Sequence, residues 1–161
     1  MKKVFSFLFC VLISTVLLAQ NGKVFDNLSM KSTTLDSERK YAIYLPPDYE
    51  TSQRSYPVLY LLHGAGGSQT SWIQHGEVVY LADKAIKEGK CTPTIIVMPD
   101  ATAGRQGYFN SVKGDWRYED FFFEEFIPFI EGKYRIRAEK RYRAIAGLSM
   151  EIGRASCRER V

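Results

Sequence analysis

The sequence predicts an α/β fold with helices on both faces of a mostly parallel sheet. Three observations carry this. Short apolar runs occur at Pro57–Leu62, Thr94–Met98 and Arg143–Ala146. Segments with helical spacing separate them. Parallel strands need long crossovers, so strand–helix–strand–helix–strand order implies parallel pairing.

The elements follow in order. Lys40–Leu45 is a strand candidate, stopped by Pro46-Pro47. Asp48 to Ser55 is polar and turn-like. Pro57–Leu62 is continuously apolar, as in a strand buried on both faces. It ends abruptly in His63-Gly64-Ala65-Gly66-Gly67-Ser68. From Glu77 to Glu88, residues Val78, Leu81, Ala82, Ala85 and Ile86 share a helix face, and Gly89 closes the helix. Thr94–Met98 is a second buried strand, ended by Pro99-Asp100. Ala101 to Asp115 is a long polar loop. Tyr118–Tyr134 is an aromatic helix, with Phe122, Phe126, Phe129 and Ile130 on one face and a kink expected at Pro128. Arg143–Ala146 runs straight into Gly147-Leu148-Ser149-Met150.

The 161 residues are 45% hydrophobic and 25% charged, which fits a globular chain and excludes disordered and collagen-like classes. Both termini stand apart from the folded segment, 20–150. Residues 1–19 have the pattern of a secretory signal: Lys2 and Lys3, an apolar run from Val4 to Leu18, then Ala19. The run is about 15 residues, short of the roughly 20 that span a bilayer, so no stable membrane anchor is expected after cleavage. A secreted or periplasmic location follows. Residues 151–161 (EIGRASCRERV) have neither helical nor strand periodicity and resemble the in-frame translation of a sequencing adapter. They are read as a non-native tail, with a genuine basic tail as the alternative. The net charge of +4 falls to about +1 once Lys2, Lys3 and the tail's three Arg and two Glu are set aside. A nucleic-acid partner is therefore not expected. Cys91 is the one cysteine of the folded segment, so neither an internal disulfide nor a thiolate metal site is expected there.

Two segments carry the chemistry, and both fall at carboxyl ends of strands, where α/β sheets gather functional residues. Gly147-Leu148-Ser149-Met150 is the first part of a nucleophile elbow, G-x-S-x-G. A serine hydroxyl needs exposure on a sharp turn and a neighbouring base to act as a nucleophile. Glu151 occupies the fifth position, where the tight turn favours Gly. The alternative is an ordinary serine in a strand-to-helix turn. His63–Gly67 would form an oxyanion loop, donating the Ala65 N–H, with Gly66 in reserve, beside the Met150 N–H after the nucleophile. The alternative is a glycine-rich turn without a ligand. A phosphate loop would need G-K-[ST], which is missing. Gly64 and Gly67 shape the loop, and so does His63. Triads of this class run Ser, Asp or Glu, His along the chain, whereas His63 precedes Ser149. His75 reads as a surface or lid residue. No histidine follows Ser149 in the 161 residues, so the general base is not among them. Trp72 and Trp116, with Tyr108 and Phe109, either line a substrate pocket or pack their loops.

These residues together resemble the esterase D-like "putative esterase" branch of the α/β-hydrolases, which includes feruloyl esterases, acetylxylan esterases and S-formylglutathione hydrolases. The resemblance spans roughly Arg39 to Met150. It rests on Tyr60–Ser68 with Trp72, on Val97-Met98-Pro99-Asp100, on Trp116–Asp120 leading to Ile127–Ile130, and on Ala146–Met150. It implies the N-terminal part of an α/β-hydrolase fold, a nucleophile at Ser149, and oxyanion donors at Ala65 and Met150. It further implies a triad Asp and His beyond Met150, and no metal or cofactor. The expected substrates are carbohydrate-linked or small acyl esters, cleaved by a secreted serine carboxylesterase, with the 161-residue chain itself inactive. The alternatives are an acyltransferase of the same fold and a non-catalytic, esterase-like carbohydrate-binding module.

Overall fold

A computed structural model describes residues 21–102 and 107–149. The signal-like segment, Met150 and the tail lie outside these residues.

The centre of the sheet is built from the most apolar strings in the chain. β2 (Ser37–Leu45), β3 (Val58–Leu62) and β4 (Ile95–Pro99) lie side by side in a five-stranded sheet of order β1-β2-β4-β3-β5. All five residues of β4 are buried, as a strand covered on both faces requires. β3 pairs in parallel with β4 and with β5 (Arg143–Gly147). β2 runs antiparallel to β4, and β1 (Lys23–Ser32) antiparallel to β2.

The sequence reading does not contain β1. A register shift between Phe25 and Leu28 explains why. Val24 packs on one face of the sheet and Leu28 and Met30 on the other, although all three are even-numbered. The bulge breaks the alternation by which a strand is recognised.

Alternation along β2 and β4 divides the core. Tyr41, Ile43, Ile95 and Val97 face a large aromatic layer with Tyr60, Phe121, Phe126 and Ile130, while Ala42, Tyr44, Ile96 and Met98 face Val78. The first layer is supplied by one continuous helical stretch: α3 (Tyr118–Asp120), a π-helical segment (Phe121–Phe126) and α4 (Ile127–Lys133). The π-turns directly precede Pro128, whose missing N–H interrupts the α-helical ladder. Glu125 leaves this stretch to accept hydrogen bonds from Ser32, Thr33 and Thr34, pinning the β1–β2 turn.

The opposite face carries α1 (Ser71–Gln74) and α2 (Val78–Lys87). α2 closes as its sequence predicts. Gly89 takes φ +68°, its N–H donates to the Ile86 carbonyl, and the Lys90 N–H donates to Ala85. This is a Schellman motif, and the left-handed residue it needs is a glycine.

β5 is only partly covered. It pairs only with β3 among the described residues, and Arg143 grips Glu131 of α4 with two hydrogen bonds, of 2.5 and 2.8 Å. The β3–β5 register sets Leu62 opposite Gly147. The segments after the two strands therefore leave the sheet side by side.

Candidate active site

The loop after β3 is a tight turn held from below. The Gly67 N–H donates to the Gly64 carbonyl at 3.1 Å, and Gly66 between them has φ +76°. A turn with a left-handed third residue is of type II, which favours glycine there. Gly67 is fixed by crowding: a Cβ would lie 2.8 Å from Ser71 Oγ and 3.0 Å from His63 Nδ1. Ala65 and Gly66 stand exposed at the tip. Among the described residues, neither of their N–H groups donates to a protein acceptor.

His63 anchors this turn. Its ring is 2% exposed, and Nδ1 lies 2.8 Å from the Gly64 carbonyl. Nε2 accepts the Ala101 N–H at 3.1 Å. A nitrogen that accepts carries no proton, so the ring is the neutral tautomer with its proton on Nδ1, donating to Gly64. The His63 N–H donates to the Tyr108 hydroxyl at 2.8 Å, and that hydroxyl also lies 3.3 Å from the His63 carbonyl. Asp100 Oδ1 lies 3.5 Å from Nε2.

The turn after β5 is the strained element. Ser149 takes φ +62°, one of three described non-glycine residues at positive φ, and it is exposed at the carboxyl end of the strand. Such a conformation costs on the order of 1–3 kcal/mol and persists where surrounding structure enforces it. It is the backbone geometry expected of a serine at a strand-to-helix elbow. The two segments meet here. A Cβ on Gly64 would lie 3.4 Å from the Leu148 carbonyl oxygen and 3.7 Å from Ser149 Cβ. A larger residue at position 64 would therefore stand against the serine turn.

A cleft of about 170 Å³ opens beside them, lined by His63, Gly64, Ser71, Trp72, His75, Gly76 and Leu148. Trp72 thus reaches the cleft, with its indole N–H fixed on the Leu62 carbonyl at 3.1 Å. Trp116 does not. It is 8% exposed within the aromatic core, donating to the Gly107 carbonyl. Its apolar area is used under the loop, as is that of Tyr108, whereas Phe109 is exposed. Met150 lies outside the described residues. Among the described residues, no group of three or more His, Cys, Asp or Glu side chains is arranged to hold a metal ion. Sequence reasoning missed Tyr108 and Arg39 as supports of the loop, because their roles depend on contacts across the sheet. His75, read as a surface or lid residue, is exposed and lines the cleft.

Comparison with known proteins matches residues 32–151 to the family model "Putative esterase". An esterase of Mycobacterium tuberculosis (strain CDC 1551 / Oshkosh) is 40% identical over 112 residues, covering 67% of this chain and 23% of that protein. An endo-1,4-beta-xylanase/feruloyl esterase of Xylanibacter ruminicola is 38% identical over 117 residues, covering 67% of this chain and 16% of that protein. Among solved structures, a ferulic acid esterase superposes with a TM-score of 0.77 at 39% identity, covering 81% of this chain and 50% of that one. The chain thus spans half or less of the length of each relative.

Proposed function

The chain belongs to the "Putative esterase" family of α/β-hydrolases, and from that premise we propose a serine carboxylesterase whose nucleophile is Ser149. The observation that carries this reading is the left-handed backbone of an exposed serine at the end of β5, set against the glycine turn after β3. Ser149 Oγ attacks the ester carbonyl carbon. Negative charge develops on the carbonyl oxygen, which faces the Ala65 and Met150 N–H groups, with Gly66 in reserve. The tetrahedral species collapses, the alcohol leaves, and water then releases the acid from the acyl-serine.

A general base must take the Oγ proton. His63 is unsuited to this, since both ring nitrogens are already engaged and its side chain is buried. The base and its orienting acid belong to residues after Ser149, in the order Asp or Glu, then His. The 161-residue sequence has no histidine there, so this chain alone is expected to give no turnover. The substrates are carbohydrate-linked or small acyl esters of the feruloyl or acetyl kind. The names of the Xylanibacter ruminicola protein and of the ferulic acid esterase support that choice. The pattern of residues 1–19 supports secretion.

The test joins residues 21–149 to the second half of a feruloyl esterase domain and follows hydrolysis of methyl ferulate. Ser149→Ala is expected to reduce kcat at least about 10⁴-fold, and a fluorophosphonate probe to label Ser149. Unchanged hydrolysis in Ser149→Ala, or a turnover-competent protein unlabelled at Ser149, would overturn the assignment. Transfer of the acyl group to an added alcohol in preference to water would identify an acyltransferase instead.

A further inference from the structure

We propose that Arg39 is a positioning residue for the oxyanion loop, acting through the Asp100–Ala101 peptide and the His63 ring. The proposal rests on the reading of that loop given above. Arg39 lies on β2, is 1% exposed, and leaves Nε and Nη1 without hydrogen-bond partners. A buried, half-satisfied guanidinium is unfavourable unless it secures something else. What it secures is one carbonyl: Nη2 donates to the Asp100 oxygen at 2.7 Å, and the Tyr118 hydroxyl donates to the same oxygen at 3.0 Å. The rings of Trp116 and Tyr118 flank the guanidinium at 5.8 and 5.7 Å.

Fixing that carbonyl fixes the plane of the peptide and so the direction of the Ala101 N–H. This N–H makes Nε2 of His63 an acceptor, and the ring proton then sits on Nδ1 and holds the Gly64 carbonyl. Gly64 begins the turn whose tip carries Ala65. A competing arrangement is close by. If the Ala101 N–H swings away, Nε2 can take the proton and donate to Asp100 Oδ1, 3.5 Å distant, releasing Gly64. Arg39 selects between the two tautomers.

The experiment is long-range ¹H–¹⁵N NMR of the 161-residue chain labelled at its two histidines, with exposed His75 as the reference. The native chain is expected to show His63 protonated at Nδ1. Arg39→Met is expected to convert His63 to a mixed or Nε2-protonated state and, in the uniformly ¹⁵N-labelled chain, to speed hydrogen exchange about tenfold at the Gly67 amide, which donates to the Gly64 carbonyl. Arg39→Lys, which keeps a charged donor, should restore part of the native signal. An unaltered tautomer and unaltered Gly67 exchange in folded Arg39→Met would overturn the proposal. If that variant does not fold, Tyr118→Phe removes the other donor to the same carbonyl and should move both signals in the same direction, by less. No movement there overturns the proposal equally. In the joined, active protein, Arg39→Met should lower kcat about tenfold at unchanged KM. Failure of Ser149 labelling would refute the esterase reading while leaving the tautomer result standing.

Discussion

β4 and β5 are both five-residue strands, yet they do different work. β4 is paired on both sides and buried along its whole length. β5 is paired on one side among the described residues, and none of its residues is fully buried. The strand that holds the sheet together is not the strand that leads into Ser149. The buried centre of the sheet and the Ser149 turn are thereby placed on different elements, and substitutions can address them separately.

The sharpest way to break this contrast is to truncate one isoleucine on each strand. Ile95→Ala on β4 empties a site with no exposure and is expected to lower unfolding free energy by about 3 kcal/mol in urea denaturation. Ile145→Ala on β5 should cost about 1 kcal/mol, since that side chain is only partly covered. Equal losses would show that the two strands share the load.

Glu125 sharpens the comparison from the hairpin side. Burial pushes its carboxyl up, but the hydroxyls of Thr33, Ser32 and Thr34 and the Thr34 N–H outweigh this and bring it down to about 2. A carboxyl that is more acidic when folded stabilises the fold above its unfolded pKa, near 4.5, and loses that contribution as pH falls towards about 2. Glu125→Gln should therefore cost about 1 kcal/mol at neutral pH. The gap from the native chain should narrow in melts taken from about pH 5 down to about pH 2. The smallest effect is expected at Arg143→Met, which loosens β5 from α4. The pair is partly exposed, so stability should change by less than about 1 kcal/mol. Faster amide exchange in β5 would reveal the loosening.

Much of this arrangement was legible in the sequence because it depends on local chemistry. Apolar runs gave β3, β4 and β5, and spacing plus Gly89 gave α2. Gly147 before Leu148-Ser149 and the glycines after His63 marked the two turns. β1 was illegible because a bulge switches its buried face partway along. The role of Arg39 was illegible because its partner, the Asp100 carbonyl, lies across the sheet on a neighbouring strand's end. Trp116 resembled a pocket residue because a tryptophan in a loop gives no sign of which way it packs; the long polar loop folds it into the core.

The meeting of Gly64 with the Leu148–Ser149 turn has a consequence during synthesis. A nascent polypeptide that has emerged only as far as β4 already owns the glycine turn, but nothing stands opposite it. Docking of β5 is the event that brings the Leu148–Ser149 turn against the glycine turn, so the two segments meet only when the last of the five described strands is in place.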